Sequence, residues 1–221
     1  MNAVGSLPPV PSRADDERLR TAVHEAAHFV VAELYPCPDL EVHAISVLER
    51  GPFAGGLVAS AADELDRAGI RSLAAVLLAG FEAEWLLAGS PSFPNAITDL
   101  RQVYVLLAHL SRHDGTPIES VWRDIQGRVQ RLLERHWGGV SSVARELLRE
   151  GIVTAEEARV RLRRHVPAHT QYRDGEPIPP PIPRRPEPHE TSPHTARSGV
   201  NPPPLRMRSN SRPIPIARAF R

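Results

Sequence analysis

The stretch His24-Glu25-Ala26-Ala27-His28 constrains the fold of this 221-residue chain more than any other part of the sequence. Histidines four residues apart lie on one face of an α-helix, close enough for both imidazole rings to reach one metal ion. The intervening Glu25 points about 60–100° away around the helix axis, so its carboxylate can act on a metal-bound water without being a ligand. The stretch therefore predicts a helix that carries half of a metal site.

The flanking sequence predicts that this helix covers residues 12–35. Ser12 and Asp15 resemble a capping box, acidic residues follow at the positive end of the helix dipole, and Pro36 prevents continuation. The two histidines lie at the edge of an apolar stripe, which consists of Leu19, Val23, Ala27, Val30 and Leu34. We therefore expect them at a boundary between the hydrophobic core and a cleft.

The remaining pattern predicts a mainly α-helical fold with a small β element of two to three strands beside the first helix. Short segments rich in β-branched residues, at 42–48 and about 56–60, are separated by Gly-Pro and Gly-Gly breaks and are predicted as strands. Helical periodicity and capping residues predict five further helices, at about 70–88 with Gly89 closing it, from Pro94-Asn95 onward, from Thr116 to Trp137, at 142–149 and, after a capping box of Thr154 and Glu157, at 155–165. Gly138-Gly139 is predicted to end the fourth helix.

Composition divides the chain at Pro167. Of the 23 prolines, 14 fall in residues 167–221, where large apolar residues are scarce. Such a segment buries too little surface to offset its ordering entropy. We therefore expect a loose lead-in at 1–11, a folded domain at 12–166 and a disordered Pro- and Arg-rich tail at 167–221.

The overall charge and cysteine content predict a soluble protein of a reducing compartment. The net charge is +1, and no nucleic-acid partner is predicted from it. All 27 basic residues are arginine, which is typical of a high-GC bacterial genome, and the arginines of the last 31 residues are interpreted as a solvated tail. A single cysteine, Cys37, excludes an internal disulfide. Because neither a membrane-spanning apolar run nor a signal sequence is visible, we expect a cytoplasmic bacterial protein.

A catalytic zinc ion needs three protein ligands and one open position, so the two histidines require a third partner. Asp99 is the best candidate, since a carboxylate on a core-facing stripe is costly unless it is paired or metal-bound. The alternatives are a first-turn acid favoured by the helix dipole, and a surface helix with two solvated histidines. His43, Glu84, His109 and His113 are rival ligands. Glu84 can instead accept a hydrogen bond from a ligand histidine, or pair with an arginine.

Several stretches, in order along the chain, resemble the zinc peptidase domain of FtsH-type AAA+ proteases. Residues 21–28 are similar to that family's His-Glu-Ala-Gly-His helix, and residues 42–51 to the strand that follows it. Residues 77–84 resemble its Leu-Gly-Gly-Arg-Ala-Ala-Glu segment. Residues 95–100 fall where the family has Ala-Ser-Asn-Asp-Leu. A weaker similarity continues beyond these, so the resemblance covers about residues 16–165.

The resemblance implies a zinc metalloendopeptidase with one zinc ion per chain. His24, His28 and Asp99 would bind the metal, and Glu25 would be the general base. It also implies a peptide or unfolded protein substrate, bound as an added strand near residues 55–58.

The chain departs from the family in two respects. Ala27 stands where the family has glycine, and the sequence contains neither a phosphate-binding Gly-rich loop nor a membrane segment. We therefore expect ATP-independent cleavage, unless a separate ATPase docks. Two alternatives stay open: a catalytically silent relative that binds peptides or an ATPase partner, and a regulatory protease that shares only the His-Glu-x-x-His helix. The oligomeric state is not predicted.

Overall fold

The computed structural model describes residues 13–35, 40–48, 56–61, 65–91, 93–167, 170–173 and 177–179. Within these residues, five helices pack around one hydrophobic core and carry a three-stranded antiparallel sheet. The elements, in chain order, are α1 (Arg13–Leu34), β1 (Leu40–Ser46), β2 (Gly56–Ala61), α2 (Arg67–Ala88), α3 (Phe93–Asp114), α4 (Ile118–Glu150), β3 (Ile152–Thr154) and α5 (Ala155–Leu162). The predicted fold class, mainly α-helical with a small β element, is confirmed.

Helix α2 lies at the centre of the domain. Its residues are buried almost continuously from Gly69 to Glu84, as expected for a helix that is apolar on all sides. It packs against α1, α3 and α4, and so brings the helix of the two histidines and the helix of Asp99 against a common support. None of the helices in the described part of the chain has the length and apolar character that crossing a membrane requires.

The sheet has the order β2-β1-β3 and lies beside α1, which contacts both β1 and β2. In the central strand, Ile45 pairs with Leu57 on one side and with Val153 on the other. Ile45 and Val153 are fully buried, so this row of the sheet faces the core. The predicted strand pair is confirmed, and β2 forms one outer edge of the sheet.

Capping side chains and a glycine set both ends of α2 and the start of α5. Asp66 accepts a hydrogen bond from the backbone N–H of Gly69 at the start of α2, and Gly89 ends this helix in the left-handed conformation (φ 67°). At the start of α5, Thr154 and Glu157 form the predicted capping box.

The predicted break between two helices near Trp137 is observed at His136, where the backbone leaves helical geometry (φ −110°, ψ 21°) and two helical runs meet within α4. Gly138 and Gly139 lie inside the second run, so the prediction that these glycines end the helix is wrong in that detail. A Cβ atom on Gly139 would lie 2.6 Å from Leu162 Cδ1, and one on Gly138 would lie 3.0 Å from His165 Nδ1. The two glycines therefore allow the α5 region to pack closely on α4, which the sequence pattern alone does not distinguish from helix termination.

The folded region continues beyond Pro167, where composition predicts a tail. Tyr172 and Ile178 belong to the core, and the Tyr172 N–H donates a 2.7 Å hydrogen bond to the carbonyl of Leu34. The composition of residues 167–221, taken as an average over 55 residues, does not reveal these contacts. Two large side chains are enough to hold a short segment against the core, and they change the average very little. The predicted lead-in at 1–11, the Cys37 loop and the sequence from residue 180 onward lie outside the described residues.

Candidate metal site

Side chains from two helices converge on one point. His24 Nε2 lies 3.1 Å from Asp99 Oδ2, and His28 Nε2 lies 3.2 Å from the same oxygen. The three candidate ligand atoms are all within 4.8 Å of one another, and the group could hold a metal ion. Ligand atoms bonded at about 2.0–2.2 Å to a tetrahedral zinc ion are roughly 3.4 Å apart, and the two observed N–O distances are close to this value.

Helix geometry and one glycine create this arrangement. His24 and His28 are one turn apart on α1, and their ring centroids are separated by 4.6 Å with the planes at 81°. Asp99 comes from the first part of α3. Between them, Gly80 of α2 leaves room for the His24 ring, since a Cβ atom there would lie 2.5 Å from both Cε1 and Nε2 of that imidazole.

Each histidine has a second ring nitrogen, Nδ1, that does not face Asp99, and this outer nitrogen is already hydrogen-bonded. His24 Nδ1 is 2.7 Å from Glu84 Oε1, and His28 Nδ1 is 2.6 Å from the carbonyl oxygen of Val76. A carbonyl can only accept, so His28 Nδ1 carries the proton, and an ionised Glu84 requires the same of His24. In the neutral rings each Nε2 then presents a lone pair. In that form two lone pairs and a carboxylate oxygen face one another and can share a cation, which is either the proton of a hydrogen bond to Asp99 or a metal ion.

The electrostatics of the site favour positive charge at the point of convergence. Burial opposes a charge on His24, but hydrogen bonds to Asp99 and Glu84 outweigh it and raise the pKa of His24 to about 10. Burial also opposes the charge on Asp99, yet hydrogen bonds from His24 and His28 hold the pKa of this carboxyl well below its usual range. Burial raises the pKa of Glu25, although the neighbouring histidines act in the opposite direction. Metal binding replaces a proton in such a site.

The cluster is buried rather than displayed on the surface. His24, Glu25, His28 and Glu84 are all buried, and Asp99 keeps 19% of its side chain exposed. The alternative of two solvated histidines is therefore wrong. Buried charges persist only when they are paired or coordinate a metal, and of these five residues Asp99 is the most exposed.

The rival histidines do not reach the cluster. His43 lies on β1 with 47% of its side chain exposed, near Glu41. His109 and His113 form an exposed pair on α3, with ring centroids 4.9 Å apart. They follow Asp99 by 10 and 14 residues, which places them about 15 and 21 Å along the helix axis from it. Glu84 hydrogen-bonds Nδ1 of His24. Of the roles that the sequence suggests for Glu84, this is the hydrogen bond with a candidate ligand histidine.

Two parts of the site were not predicted from the sequence. Gly80 carries a weak signal, because a glycine inside an otherwise apolar helix often marks a close approach of another group. The carbonyl of Val76 carries none, since every residue has one and its use depends on how α1 and α2 pack.

Comparison with known proteins assigns no family. No protein-family model matches the sequence, and no curated protein matches it. The fold and the site define the class: a mainly α-helical protein with a buried His-His-Asp group that could hold a metal ion.

Proposed function

We propose that this protein is a zinc-dependent metallopeptidase of the kind found in FtsH-type proteases. One observation carries the proposal: His24 Nε2, His28 Nε2 and Asp99 Oδ2 face one another in a buried cluster beside Glu25. Two histidines and one carboxylate are a donor set that suits a catalytic zinc ion and leaves a fourth position for water. The resemblance to the FtsH-type peptidase domain implies a role for the same four residues, His24, Glu25, His28 and Asp99.

Each residue of the cluster has a defined part in peptide hydrolysis. His24, His28 and Asp99 would hold the zinc ion, and Glu84 fixes the orientation of the His24 ring. When bound, zinc polarises a carbonyl group and lowers the pKa of water towards ~7. The Glu25 carboxylate accepts a proton from the attacking water and passes it to the amine nitrogen of the leaving group, as the C–O bond forms and the C–N bond breaks.

The sheet offers a place for an extended substrate. β2 pairs only with β1 in the described part of the sheet, and α1 packs against both strands. A peptide that adds to the outer side of β2 would satisfy main-chain groups of that edge. The 221 residues contain no phosphate-binding Gly-rich loop. We therefore propose that this domain cleaves peptides and unfolded segments without hydrolysing ATP itself, and that an ATPase takes part if folded proteins are substrates.

Catalysis is tested by Glu25→Gln. With a quenched fluorescent peptide and labelled casein as substrates, we expect the wild type to cleave and the variant to lose at least about 100-fold in kcat/KM. Glu134→Gln, at an exposed glutamate of α4, is the matched control and should retain activity. Equal zinc content in all three proteins would assign the loss to proton transfer. A wild type that binds zinc but cleaves no substrate indicates the catalytically silent alternative.

The metal site is tested by zinc content after dialysis. We expect one zinc ion per chain in the wild type and a loss of more than about 100-fold in zinc affinity for Asp99→Ala and for His24→Ala/His28→Ala. His109→Ala/His113→Ala is the control, because it removes an exposed histidine pair with the same spacing. Undiminished zinc in Asp99→Ala would move the third ligand elsewhere. Absence of metal from the wild type would refute the proposal.

A further inference from the structure

The last turn of α2 forms an exposed apolar tip. Trp85, Leu86 and Leu87 keep 41, 39 and 36% of their surface exposed, and every residue from 85 to 90 is exposed. Successive residues of a helix are 100° apart, so residues 85–88 cover its whole circumference. No side of this turn, here called the α2 tip, is buried against another element of the described part of the chain.

Helix α3, which follows the tip after a short connection, adds a second exposed apolar surface. Ile97, Tyr104 and Val105 are 44, 48 and 52% exposed, and they lie with the exposed Arg101 and Arg112 within about 100° of the helix circumference. We call these five residues the outer face of α3. The opposite side of this helix packs on α2 and α4. Six of the ten large apolar side chains that are exposed in the described residues belong to the tip and this face, so the exposed apolar surface is concentrated on one helical hairpin.

The surface of this hairpin carries positive charge without a free carboxylate. Between Glu84 and Asp99 the sequence contains no charged side chain. Glu84 is fully buried, and Asp99 lies in the candidate metal site, about 160° from Arg101 around α3. Asp114, the other acid of α3, is ion-paired with an arginine of α2. Arg101 and Arg112 form no ion pair with any described residue, so their charges are available to an anionic ligand.

We propose that the α2 tip and the outer face of α3 dock the protein on a phospholipid bilayer with anionic headgroups. An exposed apolar patch of this kind marks a contact with a membrane or with another protein. Shape favours the membrane, because lipid surrounds a tip that is exposed on every side, whereas a flat protein surface covers only one side. Tryptophan and leucine are typical of surfaces that insert at the interface of a bilayer. Arg101 and Arg112 complement the negative charge of the headgroups.

This docking surface is separate from the chemistry of the candidate metal site. The α2 tip and the outer face of α3 contain none of the residues that would bind zinc or transfer a proton. The proposal therefore does not rest on peptidase activity. Its test uses vesicle binding as the readout, so a failure of the proposed function leaves that test unaffected.

Vesicle flotation with the full chain tests the role of the α2 tip. The probes are vesicles of phosphatidylcholine alone and of phosphatidylcholine with about 30% phosphatidylserine. We expect the wild type to bind the mixed vesicles, and Leu86→Glu/Leu87→Glu to bind them at least about tenfold more weakly, because it places two charges in the inserted turn. Ile152→Glu/Val160→Glu adds the same charges at two exposed apolar positions outside the hairpin. This matched control should bind as the wild type does.

The contribution of charge is tested by Arg101→Ala/Arg112→Ala. We expect this variant to bind the mixed vesicles roughly 10- to 30-fold more weakly than the wild type, since each arginine near an anionic surface contributes about a fivefold change in affinity. The wild type should likewise bind vesicles of phosphatidylcholine alone at least about tenfold more weakly than the mixed vesicles. Equal binding to both vesicle types would overturn the requirement for anionic headgroups.

A second measurement uses the wild-type chain and does not depend on the folding of a variant. Trp85 is more exposed than Trp122 and Trp137, the other two tryptophans. Mixed vesicles should therefore shift the tryptophan emission to shorter wavelengths, and brominated lipid should quench it. A wild type that binds no vesicles would overturn the proposal, as would undiminished binding by a folded Leu86→Glu/Leu87→Glu. A wild-type dimer in light scattering that this variant dissociates, with no vesicle binding, would assign the surface to contact between two copies of the chain instead.

Discussion

Gly80 shows how a single missing side chain can position the metal site. A glycine inside a helix destabilises it by about 1 kcal/mol relative to alanine. At Gly80, however, a Cβ atom would overlap the His24 ring, which is itself held by Glu84 and faces Asp99. The cost of the glycine to α2 is thus offset by the close approach of α1 and by the correct placement of one ligand.

Gly80→Ala should weaken metal binding without changing any ligand. The added methyl group must push the His24 imidazole away from α2, so we expect zinc affinity to fall by about 10- to 100-fold, as when a ligand loses its outer partner. The overlap should also lower the free energy of unfolding by about 1–3 kcal/mol. Isothermal titration calorimetry with zinc and urea unfolding measure the two effects.

Gly127→Ala provides the matched control for this substitution. Gly127 lies inside α4, where the nearest atom to an added Cβ would be Arg131 Nη1 at an ordinary 3.4 Å. Alanine there should leave zinc affinity unchanged and raise the helix stability slightly. If Gly80→Ala behaves like Gly127→Ala, Gly80 has no role in placing the His24 ring.

At the level of elements, α4 combines a kink with a buried titratable group. His136 leaves helical geometry, is buried, and bonds the hydroxyl of Tyr172. At the kink, the His136 ring lies against the buried Tyr172, with the two ring centroids 5.8 Å apart. Because the pKa of His136 is lowered to about 4, its neutral form is the one that the folded protein stabilises.

The sign of the resulting pH dependence follows from this lowered pKa. The unfolded chain takes up a proton at His136 near pH 6.5 and the folded chain only near pH 4, so stability is lost as the pH falls from 6.5 towards 4. We expect protonation of His136 to lower the free energy of unfolding of the wild type by about 2 kcal/mol between pH 7.5 and pH 5. The glutamine of His136→Gln can still hydrogen-bond Tyr172 but does not titrate. The free energy of unfolding of this variant, measured with urea, should therefore fall by about 2 kcal/mol less than that of the wild type over the same pH range. His113→Gln, at an exposed histidine, should keep the wild-type slope, and an unchanged slope in His136→Gln contradicts the prediction.

The sequence predicts elements well where the signal is local and poorly where it depends on packing. The capping box at Thr154 and the termination of α2 at Gly89 are local, and both are observed. The continuation of α4 through Gly138-Gly139 depends instead on the approach of Leu162, which no local pattern reveals. The same difference holds in the site: the side chain of Asp99 could be predicted, whereas the carbonyl of Val76 could not.

At the scale of the whole molecule, the cluster ties together helices that are distant in sequence. α1 and α3 both pack on α2, and Asp99 connects them through two contacts, to His24 and to His28. With Glu25 and Glu84 nearby, a bound cation would offset three carboxylates in one buried region. If the ion binds only the folded state, its binding energy adds to the stability of the entire domain.

Removal of the metal should therefore lower the melting temperature of the whole domain. At free zinc about 1,000-fold above Kd, binding adds roughly 4 kcal/mol, which corresponds to a shift of about 10 °C in Tm for a domain of this size. We expect a chelator to produce this shift in differential scanning calorimetry and added zinc to reverse it.

Asp99→Ala should melt at a lower temperature and respond little to either reagent, because the ligand set is incomplete. His109→Ala/His113→Ala should respond as the wild type does, since the exposed pair lies about 15–21 Å along α3 from Asp99. A chelator effect of the same size in Asp99→Ala as in the wild type would mean that the stabilising ion lies elsewhere.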